Sequence, residues 1–189
     1  MTLLGTPSQT VGPFFHIGCS KLTVSDLADL NVPGIRLAVE GRVLDGDGNP
    51  VRDAMIEIWQ ADASGKYACP ADRQNKQFDP QFRGYGRVAT DQNGRFRFTT
   101  IRPGSVPGPG HTIQAPHLLI SIFMRGLLNR LVSRMYFPDV ALNDDDPVLK
   151  SVEPSRRKTL LAWKTEGSKD TLQWNVILQG KNETVFFDI

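Results

Sequence analysis

Cysteine is nearly absent: the 189 residues hold only Cys19 and Cys69. Two thiols fifty positions apart make no disulfide framework. With no CxxC and no Cys/His cluster, the pattern of a structural zinc site is missing as well. Charge of one sign is also scarce. Lys and Arg number 22 against 20 Asp and Glu, a net +2, so neither nucleic acid nor an anionic membrane is suggested as partner. No apolar run approaches the roughly 20 residues that span a bilayer. The opening MTLLGTPSQT has no basic stretch followed by an apolar one, so no secretory signal is read. Free thiols and no signal give the expectation of a cytoplasmic protein. Histidine is rare too, at His16, His111 and His117.

Glycine (17) and proline (13) are plentiful and spread along the chain. Together with many short alternating segments they predict an all-β fold, a single β-sandwich with long loops and a short helix. Residues 1–34 read as an extended N-terminal arm and linker, and 35–189 as the sandwich domain. In the arm, TPSQTVGPFF is too rich in proline and glycine for a regular helix, while Phe14, Phe15 and Ile17 call for cover. Residues 25–30 read as a short helical turn.

The segment 114–125, QAPHLLISIFMR, reads as the central strand. Alternation puts Leu118, Ile120, Ile122 and Met124 on a core face. The opposite face opens on His117, closes on Arg125, and carries Leu119, Ser121 and Phe123 between. Residues 36–44 and 53–60 alternate well and flank the turn signal DGDGNP, which predicts a hairpin. A second hairpin turn is expected at 91–94, before strand 95–99 with Phe96 and Phe98 inward. Residues 61–87 form a loop too long for a plain connection. A strand over 131–137, a Ser155-capped helix over 156–163 and a C-terminal hairpin of 172–178 with 184–188 complete the expectations.

Most familiar chemistries find no support. Ser121 has no GxSxG elbow around it. GSVPGPG lacks the features of a phosphate loop. Asp144, Asp145 and Asp146 are consecutive in a turn and read as solvated. A strand offers metal ligands at i and i+2, yet the position two beyond His117 is Leu119. Tyr67, Tyr85 and Tyr136 are phenolate candidates for a ferric ion, but without a second strand histidine the residues do not make a self-sufficient site. Arg125 suits a carboxylate, or is simply an exposed strand-end arginine.

The motifs TPSQTVGPFFHIG, EIWQADASGKY, GYGRVATDQNGRFRFTTIRPG, APHLLISIFMRG, RMYFPD and KNETVFFDI resemble the intradiol ring-cleavage dioxygenases over nearly the whole chain, most of all the alpha chains of heteromeric members. The resemblance implies a ferric ion held by two tyrosines and two histidines. Matched by position, the first tyrosine is Tyr67 and the second falls at Val106. The histidine pair falls on His117 and Leu119, and an arginine used near the substrate falls on Gln114. Half the ligands are thus replaced, so the resemblance implies that this chain itself holds no metal and that the Fe(III) belongs to a partner beta chain in an obligate heteromer. It also implies that Thr10, Gly12, Phe14 and Arg125 line the partner's substrate pocket, with Arg125 facing the carboxylate of a substrate such as protocatechuate. That substrate is opened by dioxygen between its hydroxyl-bearing carbons. A second reading, a non-catalytic binding or scaffold module, comes from the likeness of TDQNGRFRFTTIRPG to transthyretin-like modules.

Overall fold

The computed structural model describes residues 5–165 and 167–188. The first four residues of the expected arm, and the domain limits at 1 and 189, lie outside them. Two sheets face each other across one apolar core. The first runs β3 (Tyr85–Ala89), β2 (Met55–Trp59), β7 (His117–Phe123), β8 (Leu131–Tyr136), antiparallel throughout. The second is built on β1 (Arg36–Leu44). One edge of β1 pairs antiparallel with β4 (Arg95–Ile101). Its other edge takes the short parallel β10 (Thr171–Gln173) and β11 (Val176–Ile177), with β9 (Trp163–Lys164) outside β10. A two-stranded ribbon, β5 (Val106–Pro107) with β6 (Ile113–Gln114), stands apart. The expected all-β sandwich is what the chain forms.

The inner faces follow the alternation. Leu118, Ile120 and Ile122 of β7 meet Val39, Val43, Phe96 and Phe98 of the opposite sheet in one cluster, all buried. Burying a side chain of that size is worth about 1.5–3 kcal/mol, which ranks this interface first among the forces holding the fold.

Several expected local structures are corrected. The turn at 45–50 is real, with Asp45 Oδ1 accepting from the Asp47 and Asn49 amides. The strands it joins do not pair: β1 ladders with β4, and β2 with β3 and β7. The turn at 91–94 likewise carries the chain from β3 in one sheet to β4 in the other. Both turns are arches across the sandwich, because each flanking strand has a buried face that must oppose its neighbour's rather than lie beside it. Residues 25–30 form isolated bridges and a bend, not a helical turn. The arm does contain a helix, α1 (Pro13–Cys19), since Pro13 stands in its first turn, where a missing N–H costs nothing. Residues 157–160 make a 3₁₀ turn without a Ser155 cap. The true short helix is α2 (Pro147–Ser151), capped by Asp146. Of the expected C-terminal hairpin only its closing pair forms, the Thr184 amide to the Ile177 carbonyl (2.9 Å); residues 184–188 make no strand ladder, and the Phe187 amide bonds the Val132 carbonyl (2.8 Å). Cys19 and Cys69 are free. Among the described residues no helix is long and apolar enough to cross a membrane.

Candidate functional site

The outer face of the first sheet carries the residues singled out on the sequence. Cross-strand register lines up Trp59, Leu119 and Arg134 on β2, β7 and β8, and sets His117 opposite Tyr136. The loop after β2 then folds back. Asp62 accepts from the amides of Ser64 (2.8 Å) and Lys66 (2.9 Å), and Asp72 accepts from the Tyr67 amide (2.8 Å). Gly65 has φ 82°, and a Cβ there would lie 1.9 Å from the Ser105 carbonyl oxygen, so only glycine lets this loop dock beside β5. Tyr67 is thereby laid on Trp59, ring planes 5° apart with centroids at 6.0 Å. Tyr67, Trp59, Val106 and Pro107 wall a pocket of about 620 Å³.

Val106 pairs with Gln114 across the ribbon. Gln114 Oε1 accepts from the Arg134 guanidinium at 2.6 Å, which also donates to the Tyr136 hydroxyl at 3.3 Å. Tyr136 donates to Asp146 at 3.1 Å. Asp146 is wholly buried, not solvated as expected. Besides Tyr136 it takes the amides of Ala115 (2.7 Å), Val148 (2.9 Å) and Leu149 (2.8 Å), the work of a helix cap that also anchors the start of β7.

Burial pushes the Tyr67 phenol up, against the opposing pull of the Arg134 charge. Burial pushes Tyr136 up as well. The His117 imidazole is pushed down to about 4, by burial first and by Arg134 second, and His117 Nδ1 is bonded to the Ala115 carbonyl (2.7 Å). At neutral pH the cluster therefore holds neutral phenols and a neutral imidazole beside the Arg134 guanidinium and the buried Asp146 carboxyl.

A second site lies at the other end of β7. Arg125 falls just past the strand, is largely exposed, and pairs with Asp53. The Gly126 amide donates to the Thr10 hydroxyl (2.7 Å), tying the arm to the turn after Arg125. Gly12, Val11 and Phe15 join Arg125 and Asp53 around a cleft of about 260 Å³. Phe15 packs on Phe123 with ring centroids 5.9 Å apart. The cover expected for its neighbours is absent among the described residues: Phe14 is 83% exposed and Ile17 63%.

The structure thus brings Tyr67 and Val106 together, sets His117, Leu119 and Gln114 beside them, and gathers Thr10, Gly12 and Arg125 at the cleft, with Phe14 outside its lining. Sequence reasoning missed Arg134, Asp146 and Asp53. The first had a usable signal, since Arg134 and Tyr136 alternate onto one face of RMYFPD. The other two had none short of the tertiary pairing.

Residues 12–180 match the family model described as a dioxygenase. The chain is 39% identical to the protocatechuate 3,4-dioxygenase alpha chain of Pseudomonas putida, over 97% of this chain and 96% of that one. It belongs to the intradiol dioxygenase family. It is also 34% identical to the protocatechuate 3,4-dioxygenase beta chain of Burkholderia cepacia, over 94% of this chain and 77% of that one. Among solved structures, the dioxygenase domain of a carbohydrate-binding fusion from Streptomyces sp. SirexAA-E superposes with a TM-score of 0.64 at 23% identity, covering 86% of this chain and 89% of that one, which shows a shared fold. The intradiol family is iron-dependent, so the donors here can be tested against a ferric ion. Val106 and Leu119 offer no donor atom, and a guanidinium reaches into the same cluster. A ferric ion favours anionic oxygen donors; the residues present do not fit it. Among the described residues no group of three or more His, Cys, Asp or Glu is placed to hold a metal.

Proposed function

We propose that this chain is the iron-free, alpha-type subunit of a heteromeric protocatechuate 3,4-dioxygenase. Ring opening, with both atoms of dioxygen entering 3-carboxy-cis,cis-muconate, falls to a beta chain that keeps the Fe(III). The contribution of this chain is binding and orientation.

One observation carries the reading. Arg125 stands at an open cleft framed by the arm, paired with the partly exposed Asp53 carboxylate. A solvated ion pair of that kind is worth about 0–1 kcal/mol, so a substrate carboxylate can take the place of Asp53 once a partner closes the cleft and excludes water. Thr10 fixes the arm to the turn that presents Arg125. Gly12 leaves room, with nothing within 4 Å of where a Cβ would stand. Ile17 in the cleft wall and Phe14 beside it present apolar surface, which an obligate partner would cover.

In the complex reconstituted with a beta chain, Arg125→Ala should raise KM for protocatechuate about tenfold or more, the value of a charge-assisted hydrogen bond, and leave KM for unsubstituted catechol nearly unchanged. Equal losses on the two substrates would contradict the assignment.

A further inference from the structure

Missing donors alone do not describe the cluster beside Tyr67. Arg134 stands directly across from Leu119, the position two beyond His117 where a strand would offer its second ligand. Its guanidinium is anchored through Nη1, which donates both to Gln114 Oε1 (2.6 Å) and to the Tyr136 hydroxyl (3.3 Å). Tyr136 continues the chain of bonds to Asp146 (3.1 Å), a carboxyl that is wholly buried and also caps α2. The positive charge is therefore fixed by the fold rather than by a flexible side chain. It acts on Tyr67 and on His117 alike, the two residues that could still ligate.

We propose that Arg134 is a resident cation that keeps metal ions out of this cluster, so that restoring the two replaced donors is not enough to make an iron site. An arginine stays protonated in proteins, and like charges a few ångströms apart in a partly buried setting repel strongly. A ferric ion would have to displace the guanidinium, leaving Gln114 and Tyr136 without their donor. In this account the chain is not one or two substitutions from holding iron; it has exchanged a bound ion for a covalent one. This rests on the iron-free part of the reading above and not on the role of Arg125.

The test compares purified full chains after exposure to ferrous iron and air, reading bound metal after desalting and the visible tyrosinate-to-iron absorption. The wild-type chain and the double variant Val106→Tyr, Leu119→His should both emerge without stoichiometric iron. Adding Arg134→Gln should yield stoichiometric iron and the colour, whereas adding Arg134→Lys, which keeps the charge, should not. A double variant that loads iron as fully as the Arg134→Gln triple would overturn the proposal, as would a folded triple that stays empty. Iron in the wild-type chain would overturn the iron-free reading itself, a distinguishable result. Should Val106→Tyr prevent folding, checked by near-ultraviolet circular dichroism, Leu119→His with and without Arg134→Gln carries the same comparison using cobalt(II): uptake only with Arg134→Gln supports it, and equal uptake or none refutes it.

Discussion

The cluster around His117 and Tyr136 and the cleft at Arg125 lie on one side of one sheet, and each contains an arginine linked to an aspartate. They use it in opposite ways. Arg134 is half buried and reaches Asp146 through Tyr136, with every partner supplied by the fold. Arg125 is exposed and touches Asp53 directly at the surface. The first pair is closed and costly to disturb. The second is cheap to exchange. On the proposed function, the first has become scaffold while the neighbouring, looser ion pair is the one that meets substrate.

The largest way to probe that contrast is at Asp146. Asp146→Ala would strip a buried cap from two α2 amides, the Ala115 amide and Tyr136, and should destabilise the chain by about 3–5 kcal/mol, measured by urea unfolding. Asp53→Ala should cost less than about 1 kcal/mol. Comparable losses would erase the distinction.

His117 sharpens it by pH. Its folded imidazole lies at about 4 against an ordinary 6.5, so the folded state prefers the neutral ring. The associated stability is complete above pH 6.5 and is lost as pH falls toward 4, by about 3 kcal/mol in all. Titrating stability across that window should show the loss in wild type and a flatter curve in His117→Phe.

The smallest effect belongs to Asp53→Asn. Freed of its counter-charge, Arg125 should bind a substrate carboxylate slightly better, lowering KM for protocatechuate about two- to fourfold, in line with the small worth of exposed pairs. A raised KM would mean that Asp53 positions the guanidinium rather than competing for it.

How much of this was legible in the sequence differs by residue. The two faces of β7 were readable, because alternation is imposed by the backbone. Leu118, Ile120 and Ile122 are core, and His117 and Leu119 face the cluster. The turns at 45–50 and 91–94 were readable as reversals, because glycine, asparagine and aspartate favour them. Their destination was not, since turn chemistry cannot say whether a strand returns within its sheet or crosses to the other. Asp146 looked solvated beside Asp144 and Asp145; only the packing of α2 against the start of β7 buries it. The arm's helix was hidden by its prolines, though Pro13 sits where a helix tolerates one. Arg134 was overlooked because an arginine on a strand is unremarkable until Gln114 and Tyr136 are seen to hold it.

The most direct test of the account is the metal content of this chain expressed and iron-loaded alone, beside the complex formed with a beta chain. The account predicts no stoichiometric iron and no tyrosinate colour in the isolated chain, and iron, colour and ring cleavage in the complex. Stoichiometric ferric iron with ring cleavage in the isolated chain would contradict it.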